Sequence, residues 1–349
     1  MTCKYQHQPK LEYFPVIPYK CLLLIMLVVG ITACTPKDNK QEAEKAPMSS
    51  ASDSYKIIGY VAGWEDFDLE KIHAKKLTHI NYAFANVVDG KAVLERDFDS
   101  GNMAKILALK NINADLKVLV SIGGWTWSKD FSDVALEAES RKVFAQSAVD
   151  MLKKYSLDGI DIDWEYPGQL GDNNKYRPED KQNFTLLMAD LRSALEAHGK
   201  PEGKHYLLTI ATGADTNWIK WTEMGKVQES LDFINIMTYD MYHGGHTFTG
   251  HHSNLRDSDK SIAGKGGGKI SAMSSVQSHI DAGVPASKIV LGIPFYGRMW
   301  KGVNNAGNGL YQEAETVGSI IAYKSLKKGY LVDPTFKTYV DESAKAPYL

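Results

Sequence analysis

Leu157-Asp158-Gly159-Ile160-Asp161-Ile162-Asp163-Trp164-Glu165-Tyr166-Pro167 is the stretch from which the architecture can be read. Asp161, Asp163 and Glu165 fall at every second position, and Ile160, Ile162 and Trp164 fill the places between. A repeat of two is that of an extended strand, so the acids share one side and the apolar residues the other. Neighbouring carboxyls on the acid side lie about 7 Å apart along the chain. The apolar side predicts a cover of helices, and the acid side a polar pocket. Pro167 ends the run.

A buried row of like charges is costly, so at least one carboxyl should keep its proton near neutral pH. Glu165, last in the row and flanked by Trp164 and Tyr166, is best placed for a raised pKa. A protonated carboxyl beside ionised ones suits general-acid chemistry on a glycosidic oxygen. The competing readings are a polar strand end and a cation site built from oxygen ligands. An EF-hand loop beginning at Asp161 would need glycine at its sixth place, which holds Tyr166. Structural strands, moreover, rarely stack three acids on one face.

Outward from this stretch, short apolar runs alternate with helical patterns. The runs are 56–61, 77–84, 117–123, 159–164, 206–211, 233–237 and 289–293. Helical spacing covers 102–111, 137–155, 178–197 and 271–282, with Pro178-Glu179-Asp180 opening one helix and Gly199 following its end. Strand–helix alternation predicts a parallel sheet. With this many repeats, and acids at a strand's C-terminal end, the fold class is α/β, a (β/α)8 barrel rather than a doubly wound sheet.

In such a barrel the strand ends build the site. The first run ends in Tyr60 and Trp64, and the second offers Tyr82 and Phe84. The third leads into Ser121-Ile122-Gly123-Gly124-Trp125-Thr126-Trp127, the sixth into Met237-Thr238-Tyr239-Asp240, and the seventh into Pro294-Phe295-Tyr296-Gly297-Arg298. Aromatic and polar groups thus converge on one rim. His243, His246, His251 and His252 cluster in a Gly-rich loop after the sixth run, at spacings that fit no metal motif, and read as a solvated loop.

The chain has 349 residues, 44% of them hydrophobic, which allows a sizeable core. A net charge of -2 argues against a nucleic-acid partner held by charge. The 7 Trp and 18 Tyr can supply stacking faces for sugars as well as core. Lys4, Lys10 and Lys20 precede an apolar run from Cys21 to Val29, which reads as a signal-peptide core too short to span a bilayer. Ile31-Thr32-Ala33-Cys34 resembles a bacterial lipobox, with Cys34 the lipidated residue; ordinary cleavage, leaving Cys34 a free thiol, is the alternative. Thr35 rather than Asp after Cys34 resembles lipoproteins sent on to the outer membrane. The expected protein is therefore exported and held at the outer membrane or cell surface by a lipid alone. Of Cys3, Cys21 and Cys34 at most one survives processing, so no internal disulfide forms. Residues 35–54 read as a solvated tether.

Asp158-x-x-Asp161-x-Asp163-x-Glu165, with its flanking Gly, Trp, Tyr and Pro, resembles the signature of family 18 glycoside hydrolases, the chitinases and their relatives. Ser121-x-Gly123-Gly124, Met237-Thr238-Tyr239-Asp240 and Phe295-Tyr296-Gly297-Arg298 resemble that family's motifs at strands three, six and seven. The likeness runs from about Tyr55 to the last residue. It implies a retaining chitinase that cleaves β-1,4 bonds between N-acetylglucosamine units with help from the substrate's own acetamido group. No metal or other cofactor is implied.

By this resemblance Glu165 is the acid/base, Asp163 orients the acetamido N–H, and Tyr239 donates to the acetamido oxygen. Asp161 shares a proton with Asp163, and Asp158 supports the strand from below. Tyr60, Phe84, Gly124, Trp125, Tyr166, Met237, Asp240, Tyr296 and Arg298 contact the sugars. The expected partner is chitin or its oligosaccharides, and the chain reads as a monomer.

The resemblance also suggests that the chain stops early. Family members continue after the seventh strand through an α+β lobe to an eighth strand, whereas only Lys301–Leu349 remain here. The expected organisation is a leader over 1–34, the tether, a catalytic barrel over 55–299 lacking its last strand, and a partial lobe over 300–349. Edges left unpaired on the first and seventh strands predict marginal stability. The segment 344–349 does not read as part of a packed element. Two rival readings remain: a non-catalytic chitin-binding lectin, which the presence of Glu165 disfavours, and an endo-β-N-acetylglucosaminidase on N-glycans, which the lobe disfavours.

Overall fold

The computed structural model describes residues 55–65, 67–261 and 270–349. The leader, Cys34 and the tether lie outside them. The chain runs β1 (Ile58–Ala62), β2 (His79–Val88), β3 (Lys91–Val93), α1 (Asp99–Ala108), β4 (Lys117–Gly123), α2 (Phe131–Leu136), α3 (Ala138–Tyr155) and β5 (Gly159–Asp163). It continues through α4 (Asp180–Gly199), β6 (Leu207–Gly213), α5 (Thr216–Lys220), α6 (Met224–Val227), β7 (Phe233–Met237), α7 (Ala272–Asp281) and β8 (Ile289–Leu291).

Seven strands pair in parallel in the order β1-β2-β4-β5-β6-β7-β8, while β3 folds back antiparallel on β2. The spatial order follows the chain without reversal, as in a barrel built of βα units. Among the described residues β1 and β8 each pair on one side only, so the barrel is open between them.

The period of two holds in every central strand. Ile80, Tyr82, Val118, Val120, Ile122, Ile160, Ile162, Leu208, Ile210, Ile234 and Ile236 join one core under the helices. Each fully buried aliphatic chain of that kind contributes roughly 1.5–3 kcal/mol. Trp164 stacks on Phe131, with centroids 5.5 Å apart, and meets Phe184 edge-on at 5.8 Å. The residues between these positions, among them Tyr60, Asn81, Ser121, Asp161, Asp163, Thr209 and Asn235, make up the inward layer.

Two of the helices start where side chains provide for their free N–H groups. Glu137 and Ser140 form a capping box at α3, and Ser271 and Ser274 form one at α7. The buried stripe of α3 is Phe144, Ala145, Ala148, Val149, Met151 and Leu152, spaced for one helix face.

Beyond β8 come two antiparallel hairpins, β9 (Tyr296–Met299) with β10 (Ser319–Ala322), and β11 (Tyr339–Asp341) with β12 (Ala346–Tyr348). Tyr242, Leu310 and Tyr311 form a second small core with Trp300 and Tyr348 against it. Three expectations need correction here. The terminal segment is packed: β12 pairs with β11, and Ala344 and Ala346 are buried. The second strand extends past Phe84 to Val88, because β3 gives its end a partner. Tyr82 is not at the rim; it is fully buried on the helix side, with its hydroxyl donating to Asp99 at 2.5 Å.

Candidate active site

Asp161 is held by four donors from four strands. Its Oδ1 accepts from Thr209 on β6 at 2.5 Å and from Asn235 on β7 at 3.3 Å. Its Oδ2 accepts from Ser121 on β4 at 2.7 Å and from Tyr60 on β1 at 2.9 Å. Burial raises the Asp161 pKa, and these bonds pull partly the other way. With both oxygens so engaged, Asp161 makes no hydrogen bond to Asp163, and the expected shared proton has no direct bridge.

Asp163 is buried and its Oδ1 has no partner in the protein. Burial, then the charges of Glu165 and Asp161, raise its pKa well above the usual carboxylate range. Glu165 lies two residues past the end of β5 and is 8% exposed. Burial lifts its pKa to about 7, partly offset by the Tyr166 hydroxyl beside it. Tyr239 stays firmly protonated because it is desolvated at its half-buried position and faces the charges of Asp163 and Glu165. Two buried carboxyls that hold their protons more tightly than usual and a phenol donor therefore share one site.

The backbone around Glu165 is fixed by Ser128. Its hydroxyl accepts the Glu165 N–H at 2.9 Å and faces the Gly124 and Asp163 carbonyls at 2.8 and 3.0 Å. Gly124 N–H donates to the Asp163 carbonyl at 2.8 Å. Gly124 has φ +81°, and a Cβ there would fall 2.7 Å from the Phe84 ring. Only glycine lets the chain leaving β4 pass so close.

The rim carries exposed rings. Trp125 is 51% exposed and meets Tyr166 edge-on at 6.3 Å. Trp64 is 55% exposed and stacks on Phe84 at 5.8 Å with planes 12° apart. On the far side Asp240 accepts from Arg298 Nε and Nη2 at 2.8 and 2.6 Å, and from the Tyr296 hydroxyl. Burial works to raise the Asp240 pKa, but His252, Tyr296 and Arg298 together hold it below the usual value. Met237 takes an inward position at the end of β7. Tyr60 directs its hydroxyl at Asp161 and accepts from Asn235 at 3.1 Å, while its ring stays partly exposed. Asp158 sits at the opposite end of β5, where its Oδ2 accepts from Val118 N–H at 2.7 Å and Lys110 at 2.5 Å.

The histidine loop is solvated only in part: His243 is exposed and His246 half-buried. His251 is buried and pairs with Asp341 at 3.2 Å, and His252 lies 3.6 Å from Asp240. Burial lowers the pKa of His251, His243 and His246. Among the described residues no group of three His, Cys, Asp or Glu side chains converges to hold a metal.

Thr209, Asn235 and Ser128 escaped the sequence reading. Asn235 and Thr209 did leave a signal, as polar residues in step with the inward positions of 233–237 and 207–213. Ser128 left none, since its partners meet it only in space.

Comparison with known proteins places this geometry. The model of Glycosyl hydrolases family 18 matches residues 56–349. Chitinase A1 of Niallia circulans is 39% identical over 86% of this chain, which spans 52% of that protein's length. Chitinase 1 of Aphanocladium album is 33% identical, covering 92% of this chain and 82% of its own length. A solved family 18 N-acetylglucosaminidase from Paenibacillus barengoltzii superposes with a TM-score of 0.78 at 42% identity, over 84% of this chain and 85% of that one. Chitinase ChiA74 from Bacillus thuringiensis superposes at 0.79 with 33% identity, over 84% of this chain and 59% of that one. The parallel sheet, the acid row on β5 and these matches together make the chain a member of glycoside hydrolase family 18.

Proposed function

We propose that this chain hydrolyses β-1,4 bonds between N-acetylglucosamine units of chitin-derived substrates, with net retention. The observation that carries the reading is Glu165: a buried carboxyl with its pKa lifted to about 7, beside the buried Asp163 and the phenol of Tyr239. Glu165 gives its proton to the leaving oxygen as the bond breaks. The acetamido carbonyl of the sugar being cleaved closes on its own anomeric carbon, and positive charge spreads into the resulting ring. Asp163 holds the acetamido N–H and faces that charge; its partnerless Oδ1 leaves it an acceptor position. Tyr239 donates to the acetamido oxygen. Glu165, now ionised, takes a proton from the water that opens the ring. Fixed dipoles and charges act strongly here because the row is buried.

The test is hydrolysis of N-acetylglucosamine oligomers against glucose oligomers of the same length and linkage. Only the N-acetylated series should be cut, and Glu165→Gln should bind without turnover. Equal rates on both series would refute substrate assistance. Substrate length has a second reading, favoured by the 42% identity to the Paenibacillus N-acetylglucosaminidase: removal of single terminal sugars. The product size from a hexamer separates the two. Location belongs to the same proposal. If Cys34 carries a lipid, Cys34→Ser moves the protein from the membrane fraction to the soluble one; unchanged membrane retention would overturn that part.

A further inference from the structure

Arg96 takes no part in the acid row, yet it ties together strand ends that carry the exposed rings. Its Nη2 donates to the Phe84 carbonyl oxygen at 2.8 Å. Its guanidinium lies 4.7 Å over the Trp127 ring and 5.6 Å over Phe98. Its Nε faces both oxygens of Asp99 at 3.1 and 3.3 Å, and its backbone N–H donates to the same carboxylate at 2.9 Å. Asp99 also accepts from the buried Tyr82 hydroxyl. Gly63 rests against that ring: a Cβ on Gly63 would fall 2.5 Å from the Tyr82 oxygen. Trp64 follows Gly63 and stacks on Phe84. One ion pair thus reaches the ends of β1, β2 and β4.

An ordinary surface ion pair would contribute little. This one is sheltered, with side chains 17% and 1% exposed. An arginine aimed at an anionic ligand would keep its charge open, whereas Asp99 balances this one. What remains is its shape: a flat fork that bonds a carbonyl at one edge while a ring packs on its face, which lysine cannot reproduce.

We propose that Arg96 is a positioning residue that fixes the aromatic rim of Trp64, Phe84 and Trp127, and so sets how many sugar units the cleft grips. The inference rests on the N-acetylglucosamine reading above. Its test measures dissociation constants for the disaccharide and the hexasaccharide of N-acetylglucosamine in the full chain carrying Glu165→Gln, with and without Arg96→Met. Arg96→Met should weaken the hexasaccharide by about tenfold or more, and the disaccharide by less than about twofold. Arg96→Lys should move the same ratio in the same direction, by less, and decides the matter if Arg96→Met does not fold. An equal loss at both lengths, or no loss at either, overturns the role of Arg96 alone. Absence of binding to both sugars before Arg96 is changed overturns the N-acetylglucosamine reading as well.

Discussion

Glu165 and Asp161 are both buried acids on one strand line, and their surroundings give them opposite duties. Asp161 is surrounded by donors, so it is held still. Glu165 meets few, so burial dominates and its proton stays on to about pH 7. The sign for stability follows. The folded carboxyl holds its proton more tightly than the unfolded one, whose ordinary value is 4.5. The native state therefore loses stability as pH rises from there to about 7. Glu165→Gln removes that loss. It should leave the melting temperature unchanged at pH 4, and raise stability at pH 8 by up to about 3 kcal/mol. In the unaltered chain kcat/KM should fall as pH rises through about 7, where the acid form is lost. A stability gain equal at both pH values would show that folding does not raise the Glu165 pKa.

At the scale of the element, β5 separates support from chemistry along one short run. Asp158 at its start accepts the buried Val118 N–H and Lys110, far along the strand from Glu165. Asp158→Ala should cost about 1–3 kcal/mol in chemical unfolding, from the unpaired Val118 amide, with KM nearly unchanged. Just past the end of the neighbouring β4, Gly124→Ala should do the reverse of a mild change. It meets both the φ of +81° and the Phe84 ring, so at least about 2 kcal/mol of stability and most of the activity should be lost. Alternation made these strands legible in the sequence, because a period of two survives whatever the neighbours are. Strand pairing was not legible in the same way: β3 has only three residues and gains its identity from β2. Tyr82 was misread for a related reason, since strand-end proximity does not by itself say which face a residue occupies.

Across the whole molecule, the histidine loop and the terminal hairpin are joined at Asp341. That carboxylate is fully buried and accepts from Ser258 at 2.7 Å and Ser343 at 2.8 Å, with His251 at 3.2 Å. Burial would raise its pKa, but those donors hold it well below the usual range. Its contribution is thus present at neutral pH and is lost as pH falls below the ordinary carboxylate value. Asp341→Ala should speed amide exchange in β11 and β12 at pH 7, while β4 and β5 keep their protection. Uniform acceleration everywhere would instead mean that the two regions unfold as one. None of this link was readable beforehand: His251 and Asp341 stand 90 positions apart, and nothing in either neighbourhood names the other. The acid row was readable because its logic is local.

The placing of Asn81, Ser121, Asp161, Asp163, Thr209 and Asn235 on the side away from the helix-covered core carries its own corollary. From β4 to β7 two alphabets are interleaved, one spelling durability and the other reactivity. A designer may rewrite the second, letter by letter at even steps, and leave the first unread.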